Sequence, residues 1–214
     1  MAKLVETRWW WIRHAPVIKP EGRIYGQRDM PCDTSASDSM AAIARRLPRS
    51  AIWFTSHLTR TRDTAEAIRS AGAIAGDGPK VEPEFAEQHL GEWQGKTYAE
   101  VGAFGQGQGG ISGHKLWLTA AGVRPPGGES FIDVIARVSA AIERWTSEIG
   151  GRDIVVVAHG GTIRAALAHA LRMDPEAALA FSIDTLSLTR IDRLDGPGEG
   201  NAWRVGRVNL PPTG

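Results

Sequence analysis

Two apolar segments that each end in a histidine constrain the fold of this chain more than any other feature. They are WWWIRHA at 9–15 and IVVVAHGG at 154–161. Short continuous apolar runs rich in β-forming side chains predict strands that are buried on both faces of a sheet. A third run, AIWFT at 51–55, has the same character. The sequence therefore predicts a sheet with a deeply buried centre.

Helical patterns lie between the predicted strands. The clearest covers Ser130 to Ile149, where apolar residues recur every three or four positions behind a serine suited to cap the helix. Alternating strands and helices predict an α/β fold, here a three-layer sandwich with a mainly parallel central sheet and helices on both faces. Because no long linker or repeat interrupts the pattern, we expect residues 1–214 to form a single domain.

The C-terminal region departs from this pattern. Residues 183–193 and 201–209 alternate polar and apolar positions, and the turn-rich segment LDGPGEG joins them. Such a pair of segments predicts an antiparallel hairpin, which we place at one edge of the sheet near the C-terminus.

Composition argues against several classes of protein. The net charge is only +1, which disfavours a nucleic-acid or membrane partner held by bulk electrostatics. Cys32 is the only cysteine, so no intrachain disulfide can form. No apolar window approaches the length of a membrane helix, and the apolar stretch near the N-terminus is too short for a signal peptide. We therefore expect a cytoplasmic protein.

Common cofactor and metal motifs are missing or out of context. Gly105, Gly107 and Gly110 form a GxGxxG pattern, but a helical pattern precedes it, whereas a dinucleotide site needs a strand there. None of the six histidines forms an HExxH or HxxxH pair, and His114 and His169 are interpreted as non-ligand residues. No GxSxG elbow indicates a serine hydrolase. We expect neither a metal nor a cofactor.

The histidines at the strand ends form the strongest candidate site. Ligands of parallel sheets bind beyond the carboxyl ends of the strands, so His14 and His159 are expected to face one crevice. Arg13 precedes the first histidine, and Gly160 and Gly161 open a helix after the second. The free N–H groups of such a helix start suit an anion.

Further charged groups fall near the same edge. Arg60 lies in the first turn of a helix that follows the strand 51–55, so its side chain can reach the crevice. Arg62, two positions on, points elsewhere and is expected at the surface. A loop after Val81 supplies two carboxylates, Glu87 and Glu92, and the pattern alone does not choose between them.

These segments resemble the histidine phosphatase superfamily, which has the phosphoglycerate mutase-like fold. The resemblance extends over nearly the whole chain, and its motifs follow the family order. They are IRHA at 12–15, SHLTRTRDTA at 56–65, EQHLGEWQG at 87–95, PGGES at 126–130 and AHGGTIRAAL at 158–167. The third motif selects Glu87 over Glu92.

The resemblance implies a role for each matched residue. His14 would be the nucleophile and form a phosphohistidine. Arg13, Arg60 and His159 would hold the phosphoryl oxygens, and Glu87 would act as the general acid. These roles agree with the physics, because a transferring phosphoryl group carries its charge on equatorial oxygens that cations stabilise. No metal is needed for this chemistry.

The sequence departs from the usual family pattern at several positions. Ala15 replaces a common glycine and His57 a common proline, and we expect both changes to be tolerated. Pro20 stands where many members carry an asparagine, so we expect Tyr25 or Gln27 to line the pocket in its place.

The resemblance leaves the exact reaction open. The mutases of this fold are longer and carry inserted segments that this chain lacks, so hydrolysis of a small phosphate ester is favoured over a cofactor-dependent phosphoglycerate mutase. The segments RIYGQRDMP and PPGGESF are similar to those of α-ribazole-5′-phosphate phosphatases. A phospho-ligand binder without catalysis is a remote alternative, because the nucleophile and acid are both present. The resemblance leaves a homodimer open.

Overall fold

The computed structural model describes residues 4–101, 115 and 117–213. Its strands are β1 (Val5–Arg13), β2 (Ala51–Thr55), β3 (Lys80–Val81), β4 (Asp153–Ala158), β5 (Leu188–Asp195) and β6 (Trp203–Leu210). Its helices include α1 (Ser37–Arg46), α2 (Thr59–Ser70), α3 (Phe131–Ile149), α4 (Gly160–Leu171) and the short α5 (Pro175–Ala178). The glycine pattern at Gly105, Gly107 and Gly110 and the residue His114 lie outside the described residues.

The six strands form one mixed sheet in the order β3-β2-β4-β1-β5-β6. Strands β3, β2, β4 and β1 run parallel, whereas β5 runs antiparallel to β1 and β6 antiparallel to β5. The predicted α/β sheet with a hairpin at one edge is therefore confirmed. The hairpin begins at Leu188 rather than at residue 183, because residues 183–187 form a turn closed by the bond from the Ser187 N–H to the Asp184 carbonyl, 3.1 Å.

The three consecutive tryptophans alternate between the two faces of the sheet. Trp9 and Trp11 stack with their ring centroids 5.6 Å apart and face α3 and α4, with Phe85 packed edge-on against both. Trp10 faces α1 and α2, and its indole N–H donates to Asp153 at 2.8 Å. Large aromatic side chains on both faces anchor β1 firmly in the sheet.

Helix α3 has the boundaries that its sequence predicts. Ser130 caps it, and Asp133 completes a reciprocal capping box with the serine backbone. The helix lies on the face of the sheet that contains Trp9 and Trp11. Its Arg137 contacts the loop after β3 that contains Glu87.

Strands β1 and β4 end level with each other, and this positions the site. Arg13 pairs with Ala158 as the last residue of each strand. The next residues are His14 and His159, and the His14 N–H donates to the Ala158 carbonyl at 2.9 Å. Both histidines therefore leave the sheet at the same height and at its carboxyl edge.

Candidate active site

The two imidazoles lie together beyond the carboxyl ends of β1 and β4, as the sequence predicts. Their ring centroids are 5.2 Å apart, and both rings are almost fully buried. The Nδ1 atom of His14 is 2.7 Å from the Ala15 carbonyl oxygen, which can only accept a hydrogen bond. Nδ1 therefore carries the proton, and Nε2 keeps a free lone pair.

Burial keeps both histidines neutral. It lowers the pKa of His14 from 6.5 to about 3, and the charges of Arg60 and Arg13 act in the same direction. The pKa of His159 is also well below its usual value, first because of burial and then because of Arg60. A neutral imidazole is the form that can act as a nucleophile.

Three buried side-chain nitrogens in this cluster have no partner among the residues that the structure describes. They are Nε of Arg13, Nε of Arg60 and Nδ1 of His159. An unpaired buried polar group costs about 1–3 kcal/mol. Because a guanidinium Nε can only donate, the two arginines indicate an absent hydrogen-bond acceptor. Phosphoryl oxygens are strong acceptors that meet this need.

Backbone carbonyls hold both guanidinium groups in place. Arg60, which lies in the first turn of α2, donates from Nη1 to the Arg28 carbonyl at 2.9 Å and from Nη2 to the Gly26 carbonyl at 2.7 Å. Arg13 donates from Nη1 to the Ile183 carbonyl at 2.5 Å. Each group therefore enters the site in a fixed orientation with its Nε free.

Glu87 lies against the start of α4. Its Oε1 accepts from the Gln88 N–H at 2.9 Å, and its Oε2 accepts from the Gly161 N–H at 3.3 Å. A β-carbon on Gly161 would lie 2.2 Å from Oε1, so only glycine leaves room for the carboxylate. The second glycine of the AHGG motif thus positions the candidate acid.

Two side chains hold the backbone of Glu87 from behind. Gln27 donates from Nε2 to the Glu87 carbonyl at 2.8 Å, and Arg137 donates to the same oxygen at 3.1 Å. Arg137 also forms a bidentate ion pair with Glu129, with 2.9 Å for each hydrogen bond. Gln27 therefore supports Glu87, and its direct contact with substrate stays a prediction.

A cavity of about 410 Å³ opens over the cluster. Its wall includes Arg13, Tyr25, Glu87 and Gly160. The imidazoles of His14 and His159, next to Arg13 and Gly160 in the chain, are buried and do not line it. Tyr25 also stacks near Arg60, whose guanidinium carbon is 5.2 Å from the ring centroid. Tyr25 therefore lines the cavity, and its contact with substrate stays a prediction.

Sequence reasoning missed most of the outer wall of the cavity. The missed lining residues are Arg23, Ile24, Gly26, Gln88, Leu90, Tyr98, Lys115, Trp117, Leu118 and Arg164. Arg164 packs its guanidinium carbon 4.7 Å from the Trp117 ring centroid. One signal could have found Arg164: it lies four residues after Gly160, on the same face of α4. Lys115 and Trp117 belong to no motif.

The residues set aside by the sequence analysis lie away from the cluster. Glu92, Arg62 and His57 are exposed, and the Arg62 guanidinium bonds Thr59 at the surface. His169 lies on α4 beside Glu143, with 2.9 Å between the two side chains. Over the described residues, no three His, Cys, Asp or Glu side chains gather as a metal site would require. No described helix is long and apolar enough to cross a membrane.

The fold and the cluster together define a class. A neutral histidine with a free Nε2, two fixed guanidinium groups, a second imidazole and a carboxylate suit transfer of a phosphoryl group to nitrogen. The sequence model of the histidine phosphatase superfamily (branch 1) matches residues 9–206. The chain therefore belongs to the histidine phosphatase superfamily.

The individual proteins to which this chain is similar include a phosphatase and a mutase. The chain is 34% identical over 179 residues to 2,3-bisphosphoglycerate-dependent phosphoglycerate mutase 2 of Gloeobacter violaceus, which covers 81% of this chain and 80% of that one. It is 33% identical over 201 residues to glucosyl-3-phosphoglycerate phosphatase of Mycobacterium tuberculosis, covering 86% and 85%. The solved structure of the mycobacterial glucosyl-3-phosphoglycerate phosphatase matches with a TM-score of 0.77 and 25% identity, over 96% of this chain and 99% of that chain. The family and these relatives support a phosphatase enzyme.

Proposed function

We propose that this protein is a metal-independent phosphomonoesterase that hydrolyses a small phosphorylated metabolite through a phosphohistidine at His14. The observation that carries the proposal is a neutral histidine, His14, beside Arg13, Arg60 and His159, each of which has a buried nitrogen without a partner among the described residues. A phosphate ester would supply hydrogen-bond partners for these nitrogens and bring phosphorus to Nε2 of His14.

In the first step, the Nε2 lone pair of His14 forms a bond to phosphorus. The ester P–O bond breaks, and its electron pair goes to the leaving oxygen. Glu87 in its protonated form gives that oxygen a proton, so an alcohol leaves. Arg13, Arg60 and His159 stabilise the charge on the equatorial oxygens with donors that are already oriented.

In the second step, water completes the hydrolysis. The Glu87 carboxylate takes a proton from the water, whose oxygen bonds to phosphorus. The P–N bond breaks, its electron pair returns to Nε2, and inorganic phosphate leaves. Glu87 is then protonated and His14 is neutral, so the enzyme has returned to its starting state.

The outer cavity favours a substrate with a second negative group. Arg23, Lys115 and Arg164 line it, and Glu87 is the one carboxylate among the described lining residues. Both relatives carry phosphoglycerate in their names, and that compound bears a carboxylate beside its phosphate. Apart from its phosphate, α-ribazole-5′-phosphate has only a neutral ribose and base. We therefore place glucosyl-3-phosphoglycerate ahead of α-ribazole-5′-phosphate as the substrate to test.

A p-nitrophenyl phosphate assay, with and without EDTA, tests the reaction class. We expect turnover that the chelator leaves unchanged and that His14→Ala abolishes. Full activity of His14→Ala would remove His14 as the nucleophile. A phosphate-release screen that includes both named substrates then identifies the preferred ester.

The leaving-group dependence tests the acid. Glu87→Gln should lose more activity with alkyl phosphates than with p-nitrophenyl phosphate, because p-nitrophenolate hardly needs a proton. Glu92→Gln is the matched control, since its side chain is exposed on the same loop. Equal losses with both esters in Glu87→Gln would contradict the acid role.

The mutase alternative rests on the Gloeobacter violaceus relative. A coupled assay with 3-phosphoglycerate and a catalytic amount of 2,3-bisphosphoglycerate would reveal it by formation of the 2-isomer. We expect phosphate release and no isomer. A protein that binds phosphate but shows neither activity would be the non-catalytic binder.

We also propose that residues 1–214 form one catalytic domain that works in the cytoplasm on small molecules, without a nucleic-acid or membrane partner. The small net charge supports this. Light scattering of the purified protein measures whether it is a monomer or a homodimer.

A further inference from the structure

Ser56 contacts one ring nitrogen of His159, the second histidine of the site. Its Oγ lies 2.8 Å from Nε2 of His159, and both residues are fully buried. The other ring nitrogen, Nδ1, is buried and has no partner among the described residues. The position of the His159 proton therefore depends on which partner of this short contact donates.

The hydrogen bonds around Ser56 leave its proton available for His159. The Ser56 Oγ already accepts from the Leu58 N–H at 3.2 Å. The neighbouring hydroxyl of Thr61, 3.1 Å away, has its own acceptor in the Leu58 carbonyl at 2.8 Å. A serine hydroxyl has one proton and can therefore donate one hydrogen bond. Its shortest contact is with Nε2 of His159, so Nε2 is the favoured acceptor.

We propose that the Ser56 hydroxyl donates a hydrogen bond to Nε2 of His159 and thereby keeps His159 in the neutral tautomer with its proton on Nδ1. Nδ1–H then points a donor at the phosphoryl oxygens. Ser56 is a positioning residue, because it acts on the reaction only through His159. The role in binding rests on the proposed function, whereas the tautomer is a property of the free protein.

The opposite tautomer is unfavourable for an anion site. With the proton on Nε2, the Ser56 hydroxyl would accept a hydrogen bond from His159 and donate its own to the Thr61 hydroxyl, and Nδ1 would hold a lone pair. That lone pair would face the anion and repel it. The depressed pKa of His159 argues in addition against an imidazolium in the free protein.

Nitrogen-15 NMR of histidine-labelled protein at neutral pH tests the tautomer directly. The His159 signals are assigned as those missing from His159→Gln. We expect Nδ1 to have a pyrrole-type shift and Nε2 a pyridine-type shift, and the same pattern, displaced at Nδ1, after addition of inorganic phosphate. A pyridine-type Nδ1, or an imidazolium in the free protein, would overturn the proposal whatever the enzyme hydrolyses.

Two serine variants test the consequence for catalysis. Ser56→Ala should give averaged His159 nitrogen shifts from mixed tautomers and lower kcat/KM by about tenfold, the value of one lost hydrogen bond. The loss should be equal for p-nitrophenyl and alkyl phosphates, because the leaving group is not involved. Ser187→Ala is the control: its hydroxyl is equally buried and has no partner in the described part of the chain.

The outcomes separate the two proposals. Unchanged tautomer and rate in Ser56→Ala would remove the positioning role of Ser56. An expected tautomer in a protein without phosphatase activity would leave the tautomer assignment standing and contradict the proposed function. If Ser56→Ala does not fold, the wild-type spectrum decides.

Discussion

His14 and His159 are buried as uncharged side chains, and this links the stability of the protein to pH. A histidine in the unfolded chain has a pKa near 6.5, whereas that of folded His14 is about 3. Between these values the unfolded chain binds a proton that the folded protein does not. Stability should therefore be complete above about pH 6.5 and fall as the pH decreases toward 3.

Urea unfolding near neutral pH and at about pH 4.5 measures this linkage. Wild type should lose free energy of unfolding on acidification, and His14→Gln should lose less because one buried neutral imidazole is gone. His57→Gln, which removes an exposed histidine, should behave like wild type. An equal pH dependence in all three proteins would contradict the link to His14.

Gly161 allows the acid to approach α4. In Gly161→Ala the new methyl group would lie 2.2 Å from Glu87 Oε1 and must displace the carboxylate. A displacement of about 1 Å can cost about a hundredfold in rate, so kcat should fall by that order while thermal stability changes little. Steady-state kinetics and a melting curve measure both effects.

Gly122→Ala is the control for this substitution, because its β-carbon would meet only Ile132 at 3.7 Å, an ordinary contact. It should retain normal activity. A fully active Gly161→Ala protein would show that Glu87 needs no contact with the start of α4.

Among the elements, α3 supports the site although none of its residues lines the cavity. Arg137 donates to the Glu84 carbonyl at 2.5 Å and to the Glu87 carbonyl at 3.1 Å, while Glu129 holds its guanidinium. Both side chains of the pair are only 17% exposed. The helix therefore fixes the loop that carries the proposed acid.

Arg137→Met should release that loop. The unpaired Glu129 should cost about 3 kcal/mol of stability. Activity should fall more with alkyl phosphates than with p-nitrophenyl phosphate, as expected for a misplaced acid. Arg124→Met is the control, because Arg124 pairs with Asp133 of the same helix but is 62% exposed, and its loss should cost under about 1 kcal/mol. Equal losses with both esters would show that Arg137 acts on stability alone.

The elements could be predicted from the sequence where local pattern decides them. The apolar strand runs, the capped α3 and the hairpin near Leu188 each follow from spacing within one segment. His14 and His159 could be paired because parallel strands end at one edge. Gln27 was expected in the pocket, but its amide bonds the Glu87 backbone. That contact joins two loops, and no periodicity predicts the path of a loop.

In the whole molecule, the net charge conceals a strong local field. The chain carries +1, yet Arg23, Lys115 and Arg164 gather at the cavity. Elsewhere cations pair with carboxylates, as Arg190 does with Glu6 and Arg204 with Asp192. Lys115 and Trp117 join this wall from a segment without a motif, which is why the sequence did not predict them. Such a local field attracts anionic ligands and weakens with salt.

Added salt should therefore raise KM more for a substrate that bears a carboxylate besides its phosphate, such as glucosyl-3-phosphoglycerate, than for p-nitrophenyl phosphate. The comparison needs KM for both esters at low and high ionic strength and the same pH. A parallel response of both esters would mean that the outer cations do not contact the substrate.

The level ends of β1 and β4 have a consequence for how such a chain can change. Arg13 and Ala158 pair as the last residues of their strands. The contact between the two imidazoles therefore depends on the number of residues in each of these strands. Adding or deleting one residue inside either strand would turn the following side chain toward the opposite face. Every reactive group would still be encoded, yet the two histidines would no longer meet. Insertions that preserve activity are therefore confined to the loops, and the lengths of these two strands are as much a part of the active site as its side chains.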